Sequence, residues 1–181
     1  MSMHASLPPY FSHQQEADDA LTQCMSERDE CILKMFCGTG KSLLMRRARI
    51  TRGQPLVVYV LPSLGLIDQF CRDYLFRERA PEWDPRSVLR VSSEEESTTD
   101  LDKIQDFLLS GPTREQSTVC VTYQSLGTFL DARDACGVCA NVAFFDEAHH
   151  AVALTYRRLI FGRGVAAKQV FVTATPTDEM C

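Results

Sequence analysis

The residues best suited to chemistry lie in two short stretches, one near the N-terminus and one far downstream. The first is 35–42, Met-Phe-Cys-Gly-Thr-Gly-Lys-Ser, and the second is 144–149, Phe-Phe-Asp-Glu-Ala-His. In the first, glycines let the backbone turn so that N–H groups and a helix N-terminus point at an anion. Lys41 adds a positive charge for the outer phosphates of a nucleotide, and Ser42 offers a hydroxyl to magnesium. This stretch predicts a phosphate-binding loop.

The loop fits the pattern G-x-x-x-x-G-K-[ST] only in part, because Met35 stands where the pattern has glycine. An ordinary glycine-rich turn beside a solvent-exposed lysine is the alternative, so a second signal is needed. The residues that we expect to contact a nucleotide here are Cys37, Gly38, Thr39, Gly40, Lys41 and Ser42.

The second signal is the pair of adjacent carboxylates, Asp146 and Glu147, that follows the apolar run Val142–Phe145. Such a run predicts a buried strand, and open parallel sheets bind ligands at the carboxyl ends of their strands. We expect Asp146 to hold the metal and Glu147 to take a proton from water. A solvated pair at a helix start is the alternative, and the preceding strand argues against it.

Together the two stretches resemble the superfamily 2 helicases and translocases that carry a DEAH motif II, here Asp146-Glu147-Ala148-His149. Further matches keep the family's order: His13-Gln14-Gln15-Glu16-Ala17, Pro62-Ser63-Leu64, Thr122-Tyr123-Gln124-Ser125-Leu126 and Thr173-Ala174-Thr175. The motifs His-Gln-x-Glu-Ala and Tyr-Gln-Ser-Leu are similar to those of the branch that includes restriction-enzyme motor subunits. The resemblance covers nearly the whole chain, and it implies ATP and Mg²⁺ as cofactors.

For the nucleotide, the resemblance implies that Gln14 reads the adenine edge, with Gln15 as a competitor. An upstream aromatic residue, Tyr10 or Phe11, stacks on the base. The alternative for Gln14 is a solvated residue on the first helical turn. His149 takes a role linked to the γ-phosphate, and capping or packing is its alternative.

For the nucleic acid, DNA or RNA, the resemblance implies contacts at one edge of the sheet. The expected contact residues are Pro62, Ser63, Thr122, Tyr123 and Gln124. A strand-to-helix cap explains Ser63 equally well. Coupling between the phosphate site and this edge is expected at Thr173, Ala174 and Thr175.

The elements that must position these motifs follow from hydrophobic patterning. Short apolar runs predict strands at Cys31–Phe36, Leu56–Leu61, Ser87–Val91, Thr118–Val121, Asn141–Phe145 and Gln169–Val172. Helical spacing predicts helices at His13–Ser26, Ser42–Thr51, Leu64–Arg79, Asp100–Ser110 and Ser125–Ala135. His149 is expected on the first turn of a further helix.

Alternating strands and helices, with each motif at the carboxyl end of a strand, predict an α/β fold: a three-layer RecA-like P-loop domain with a mostly parallel sheet. Lys41 and Asp146 are 105 positions apart, about three βαβ units, so we expect their strands to be neighbours. We divide the chain into a lead-in and N-terminal helix, 1–28, and the RecA-like domain, 29–181. The second RecA-like domain of such motors is expected to be missing from this chain.

Composition limits the classes of protein to which this chain can belong. The formal charge is −5 over 181 residues, which argues against a broad basic face without excluding nucleic acid. No apolar run approaches a membrane helix, and the N-terminus lacks a signal pattern. Among eight cysteines, Cys31, Cys71 and Cys120 fit small core residues, and the lone pair Cys136 and Cys139 is too few for zinc. Reduced thiols predict an intracellular location.

The sequence thus predicts the ATP-binding half of an ATP-dependent helicase or translocase. The family supplies an arginine finger from the second domain, so this piece alone is expected to be monomeric and nearly inactive. One alternative is a nucleotide-switched module that binds nucleic acid or protein without unwinding. Another is an unrelated P-loop kinase or transferase, which would have no need for the motifs at 122–124 and 173–175.

Overall fold

The computed structural model describes residues 10–52, 56–75, 85–93, 97–110 and 117–174. Six strands are present: β1 Glu30–Lys34, β2 Leu56–Leu61, β3 Val88–Val91, β4 Ser117–Thr122, β5 Val142–Phe145 and β6 Lys168–Thr173. The α-helices are α1 Ser12–Glu27, α2 Lys41–Arg52, α3 Leu64–Phe70, α4 Leu101–Ser110, α5 Leu126–Cys136 and α6 Leu154–Arg163. Shorter turns of 3₁₀ helix lie at Pro85–Ser87 and Ala148–His150.

All six strands form one sheet in the order β1-β6-β5-β2-β4-β3, and every neighbouring pair is parallel. This confirms the predicted α/β fold with its parallel sheet. The expectation that the strands before Lys41 and Asp146 are neighbours is wrong, because β6 lies between β1 and β5. The phosphate loop and the acidic pair therefore flank the end of β6.

Two apolar layers cover the sheet, because successive side chains of a strand point to opposite faces. On one face Tyr59 packs against Phe70 of α3 and Phe144 of β5, with ring centroids 4.6 and 5.5 Å apart. On the other, Phe145 stacks on Phe171 at 4.8 Å, beside buried side chains of α5 and α6. The central strand β2 is buried along its whole length, as its near-continuous β-branched run predicts.

Two helical segments differ from the prediction. The helix expected over Leu64–Arg79 is α-helical only to Phe70 and continues as a π-helical turn, Cys71–Leu75, while residues 76–79 lie outside the described part. His149 lies in the 3₁₀ turn Ala148–His150, ahead of α6, and not on the first turn of a regular helix. Local propensity does not distinguish these tighter and wider turns from an α-helix.

The cysteines also need a correction. A disulfide joins Cys24 of α1 to Cys31 of β1, whereas Cys71 and Cys120 are fully buried and in the reduced form, as predicted. Cys31 is buried, but it is not merely a small core residue. Because disulfides are rare in reducing compartments, cysteine usage no longer supports an intracellular location. Within the described segments, no helix is long and apolar enough to cross a membrane.

Candidate active site

The phosphate loop runs from the end of β1 to the start of α2. Gly38 and Gly40 have φ angles of 78° and 91°, a region that side chains disfavour, so glycine is required for this turn. The Thr39 hydroxyl donates to the carbonyl of Phe36 at 2.7 Å, which closes the turn. Because α2 begins at Lys41, the N-terminal end of this helix faces the loop. The local geometry is that of an anion-binding turn.

Gln14 lies against this loop. Its side chain is only 4% exposed: Nε2 donates to the carbonyl of Thr39 at 3.0 Å, and Oε1 accepts from the N–H of Phe11 at 3.1 Å. The amide thus ties α1 to the phosphate loop. Its burial excludes the alternative of a solvated residue, and the expected contact with adenine stays a prediction. Gln15 is exposed and donates to Asp19.

The two aromatic residues before α1 differ in what covers them. The guanidinium of Arg47 lies 3.8 Å from the ring centroid of Tyr10. Phe11 is 69% exposed and stacks on His13 at 5.8 Å, and His13 Nε2 lies 3.3 Å from the carbonyl of Thr39. Phe11 is thus the more exposed of the two rings and lies next to the loop, and which of them stacks on a base stays a prediction. Sequence reasoning missed His13, although it adjoins Gln14 in the same motif.

Asp146 follows β5 and is buried. Its N–H donates to the carbonyl of Val60 at 2.9 Å, while Oδ1 has no hydrogen-bond partner within the part of the chain that is described. Burial raises the pKa of the Asp146 carboxyl above its usual range, and the positive charge of Lys41 opposes this. An unpaired buried carboxylate oxygen is a fitting ligand for a hard cation such as Mg²⁺, and Ser42, at the start of α2, adds a hydroxyl of the same chemistry.

Glu147 meets Lys41 at the sheet edge. Lys41 Nζ lies 3.0 Å from Glu147 Oε1, and His149 Nδ1 lies 3.5 Å from Glu147 Oε2. The backbone of Glu147 is left-handed, with φ 47° and ψ 55°, and it is the one non-glycine residue of the described chain with positive φ. Strained backbone of this kind tends to cluster at functional sites. The structure thus brings together the three residues predicted to be catalytic.

The predicted nucleic-acid residues divide into exposed and buried ones. Ser63 and Gln124 are exposed, and Pro62 is half-buried. Ser63 caps α3, since its Oγ accepts from the N–H of Leu66 at 3.4 Å, as the alternative reading of this residue proposed. The side chains of Thr122 and Tyr123 are buried, and their expected contact with nucleic acid stays a prediction. Thr122 Oγ1 instead accepts from the N–H of Ser125 at 3.2 Å.

The residues predicted to couple the two sites lie at the end of β6. Thr173 is buried and pairs with Lys34 of β1, and its carbonyl accepts from the N–H of Met35 at 3.0 Å. The end of β6 is therefore bonded to the first residue of the phosphate loop. Ala174 is half-buried, and Thr175 lies outside the described residues.

Cys136 and Cys139 lie at the end of α5 and in the loop before β5. Over the described residues, no group of three or more His, Cys, Asp or Glu side chains is placed to hold a metal ion. A separate cavity of about 800 Å³ lies away from the phosphate loop, between β1 and the segment that leads into α6. Its lining includes Cys31, Ile32, Arg157 and Phe161.

Comparison with known proteins gives a consistent picture. The family model described as type III restriction enzyme, res subunit, matches residues 8–178. No curated protein matches the chain. Among solved structures, a nuclease-deletion mutant of the Type ISP restriction-modification enzyme LlaGI, in complex with a DNA substrate mimic, is 22% identical, with a TM-score of 0.77 over 93% of this chain and 18% of that one.

Two further structures share the fold. The ATP-dependent Type ISP restriction-modification enzyme LlaBIII, bound to DNA, is 23% identical, with a TM-score of 0.74 over 94% of this chain and 13% of that one. The UvsW helicase from bacteriophage T4 is 11% identical, with a TM-score of 0.66 over 94% of this chain and 54% of that one. This chain spans less than a fifth of the length of either restriction enzyme.

Proposed function

Because this chain belongs to the family of type III restriction enzyme res subunits and is a RecA-like domain of the superfamily 2 helicase and translocase type, we propose that it binds ATP with Mg²⁺ and drives movement on DNA. The observation that supports this most is the meeting of Lys41, Glu147 and the unpaired Asp146 oxygen at one sheet edge. The strands that precede them, β1 and β5, both lie next to β6, so the strand order of the sheet brings the three together.

Each residue has a definite task in this proposal. Lys41 holds the outer phosphates, since its ammonium is next to the glycine turn. Glu147 accepts the proton of the attacking water, and His149 holds the second carboxylate oxygen in place. Asp146 and Ser42 would hold Mg²⁺, which neutralises charge on the phosphates when it is bound. Catalysis of this type is mainly positioning and charge stabilisation.

The nucleic-acid partner is expected to be DNA. Ser63 and Gln124 are exposed at the carboxyl edge of the sheet, where hydroxyl and amide groups can bond phosphates without a basic face. That mode of contact suits a chain of net charge −5. The two restriction enzymes with the same fold are described with DNA or a DNA substrate mimic, which favours DNA over RNA. Since ATP and DNA occur inside cells, we also propose an intracellular location.

Efficient hydrolysis is expected to need a second RecA-like domain. The solved relatives are much longer than this chain, and phosphoryl transfer of this type gains about 10³- to 10⁵-fold in rate from an arginine finger. We infer that this arginine comes from outside residues 1–181. The chain alone should then bind nucleotide, with little turnover and no strand separation.

Nucleotide binding and phosphate release by the purified chain test this function. A fluorescent ATP analogue should bind in a Mg²⁺-dependent manner, and a panel of DNA and RNA ligands should raise phosphate release only slightly. Binding without any dependence on Mg²⁺ would contradict the role of Asp146. Robust DNA-stimulated turnover by this chain alone would show that the catalytic site is complete within it. ATP-dependent binding of DNA without ATP turnover, even when the second domain is supplied, would indicate a nucleotide-switched binding module and not a motor.

A further inference from the structure

Tyr123 lies immediately after β4, and its side chain is turned into the protein. It is 3% exposed, and its ring packs against those of Phe145, His150 and Tyr156, with centroids 6.5, 5.7 and 5.4 Å apart. Its hydroxyl donates to the backbone carbonyl of Asp146 at 3.0 Å. This bond reaches from the end of β4 to the end of β5, although β2 lies between the two strands.

The accepting carbonyl belongs to the peptide that joins Asp146 to Glu147. The N–H of Asp146 is held as well, by the carbonyl of Val60, and the N–H of Tyr123 donates to the carbonyl of Leu61 at 3.3 Å. Three strand ends are thus linked in a ring of hydrogen bonds. With both sides of Asp146 bonded, the peptide plane that leads into Glu147 has little freedom to rotate.

That peptide precedes the strained residue of the site. The φ angle of Glu147 is 47°, and a non-glycine residue keeps such a conformation only where its surroundings over-determine it. Rotation of the peptide would relax Glu147 and move its carboxylate away from Lys41. The Tyr123 hydroxyl bond opposes that rotation directly.

We propose that Tyr123 is a positioning residue whose hydroxyl holds the peptide between Asp146 and Glu147, so that the left-handed turn presents both carboxylates to the metal and nucleotide. The role of the turn in binding metal and nucleotide rests on the proposed function. The hydrogen bond by which Tyr123 fixes the turn does not. This role differs from the nucleic-acid contact that the motif suggests, since the tyrosine acts inward on the acidic pair.

A double-mutant cycle tests the hold on the turn. Loss of the hydroxyl bond lets the natural chain relax the strained turn at Glu147, which offsets part of the cost, whereas glycine adopts the left-handed region without strain and has none to relax. Tyr123→Phe should therefore lower the Tm of the natural chain, and it should lower the Tm of the Glu147→Gly background by more. The matched control is Tyr156→Phe, on a neighbouring ring, whose effect on Tm should be the same in both backgrounds.

Each outcome of the cycle decides the proposal. A loss of Tm in the Glu147→Gly background that is equal to or smaller than the loss in the natural chain would overturn it. If Tyr123→Phe fails to fold only in the Glu147→Gly background, the proposal is supported, and failure to fold in the natural chain contradicts it.

Mg²⁺-dependent nucleotide binding provides a second readout, which a merely structural tyrosine would not change. The gain in ADP affinity that Mg²⁺ gives should be at least about fivefold smaller in Tyr123→Phe than in Tyr156→Phe, in line with the loss of one hydrogen bond. Equal gains in the two variants would overturn the positioning role. If the natural chain shows no Mg²⁺-dependent binding, the proposed function fails, and the cycle of melting temperatures still decides the hold on the turn.

Discussion

The ammonium of Lys41 lies 3.0 Å from the carboxylate of Glu147, across 106 positions of sequence. The lysine side chain is 10% exposed and the glutamate side chain 31%, so the ion pair is partly accessible to water. A partly exposed ion pair of this kind adds little to stability, roughly 0–1 kcal/mol. Its significance is geometric, because it places the lysine expected to bind phosphates and the expected catalytic base at one point.

Lys41→Ala should weaken nucleotide binding roughly 10- to 100-fold, because a charge-assisted contact with the phosphates is worth about 1.5–3 kcal/mol. Titration with a fluorescent ATP analogue measures the change. Lys34→Ala is the matched control, since Lys34 is an exposed lysine of β1 in the strand that leads into the loop. Equal affinities for the Lys41 and Lys34 variants would mean that the phosphate loop has been misplaced.

Gly40→Ala should destabilise the chain more than Gly38→Ala. Both glycines have positive φ, so each alanine costs about 1 kcal/mol in backbone strain. At Gly40 an added Cβ also collides with the Gln14 amide nitrogen, whereas at Gly38 it meets open space. Urea unfolding of both variants measures the difference. The addition of Gln14→Ala should recover part of the loss at Gly40, and similar costs at the two glycines would refute the contact with Gln14.

Glu147→Gly should be about 1 kcal/mol more stable than Glu147→Ala, since only the glycine relieves the left-handed backbone. Both variants lose the carboxylate and its pairing with Lys41, so their difference isolates the strain. Chemical denaturation in the absence of nucleotide gives the two free energies of unfolding. An alanine variant as stable as the glycine variant would argue that residue 147 is unstrained.

Asp146→Asn should stabilise the metal-free chain at neutral pH, on the order of 1 kcal/mol, because a buried unpaired carboxylate is costly. Burial raises the pKa of the Asp146 carboxyl, so the native state binds its proton more tightly than the unfolded chain does. The contribution of Asp146 to stability is therefore most favourable at acid pH and is lost as pH rises through the raised pKa.

The advantage of the asparagine variant should accordingly shrink as pH is lowered. Melting temperatures in EDTA from neutral to acid pH measure this dependence. Glu16→Gln, at an exposed carboxyl of α1, serves as the control and should leave the pH profile nearly unchanged. A constant difference between Asp146→Asn and the natural chain at all pH values would contradict the raised pKa.

Mg-ADP should slow alkylation of Cys37. This thiol is exposed and directly precedes Gly38, so bound phosphates would cover it. Cys139 is an internal control, because it is also exposed and precedes β5, which places it at the opposite edge of the sheet. At saturating nucleotide we expect at least about fivefold protection of Cys37 alone, in proportion to the unbound fraction. Mass spectrometry of labelled peptides measures it, and equal labelling of Cys37 with and without nucleotide would refute the prediction.

Local chemistry made much of this protein predictable from its sequence. A glycine turn before Lys41 and an apolar run before Asp146 depend on neighbouring residues, so they can be recognised without a structure. The near-continuous β-branched run of β2 likewise indicates a strand covered on both faces, as observed. These signals sufficed for the α/β fold, the parallel sheet and the family.

Which segments meet was decided only by the tertiary structure. Neither the position of β6 between β1 and β5, nor the disulfide that joins Cys24 to Cys31 seven positions further on, follows from the local pattern of residues. The contacts of Gln14 and Tyr123 could not be predicted from the sequence either, because polar side chains in a binding motif are expected to face a ligand. In the folded chain both are buried, and each donates a hydrogen bond to a backbone carbonyl of the site, since a buried polar group must find a partner. Which carbonyl is in reach depends on how the strands pack.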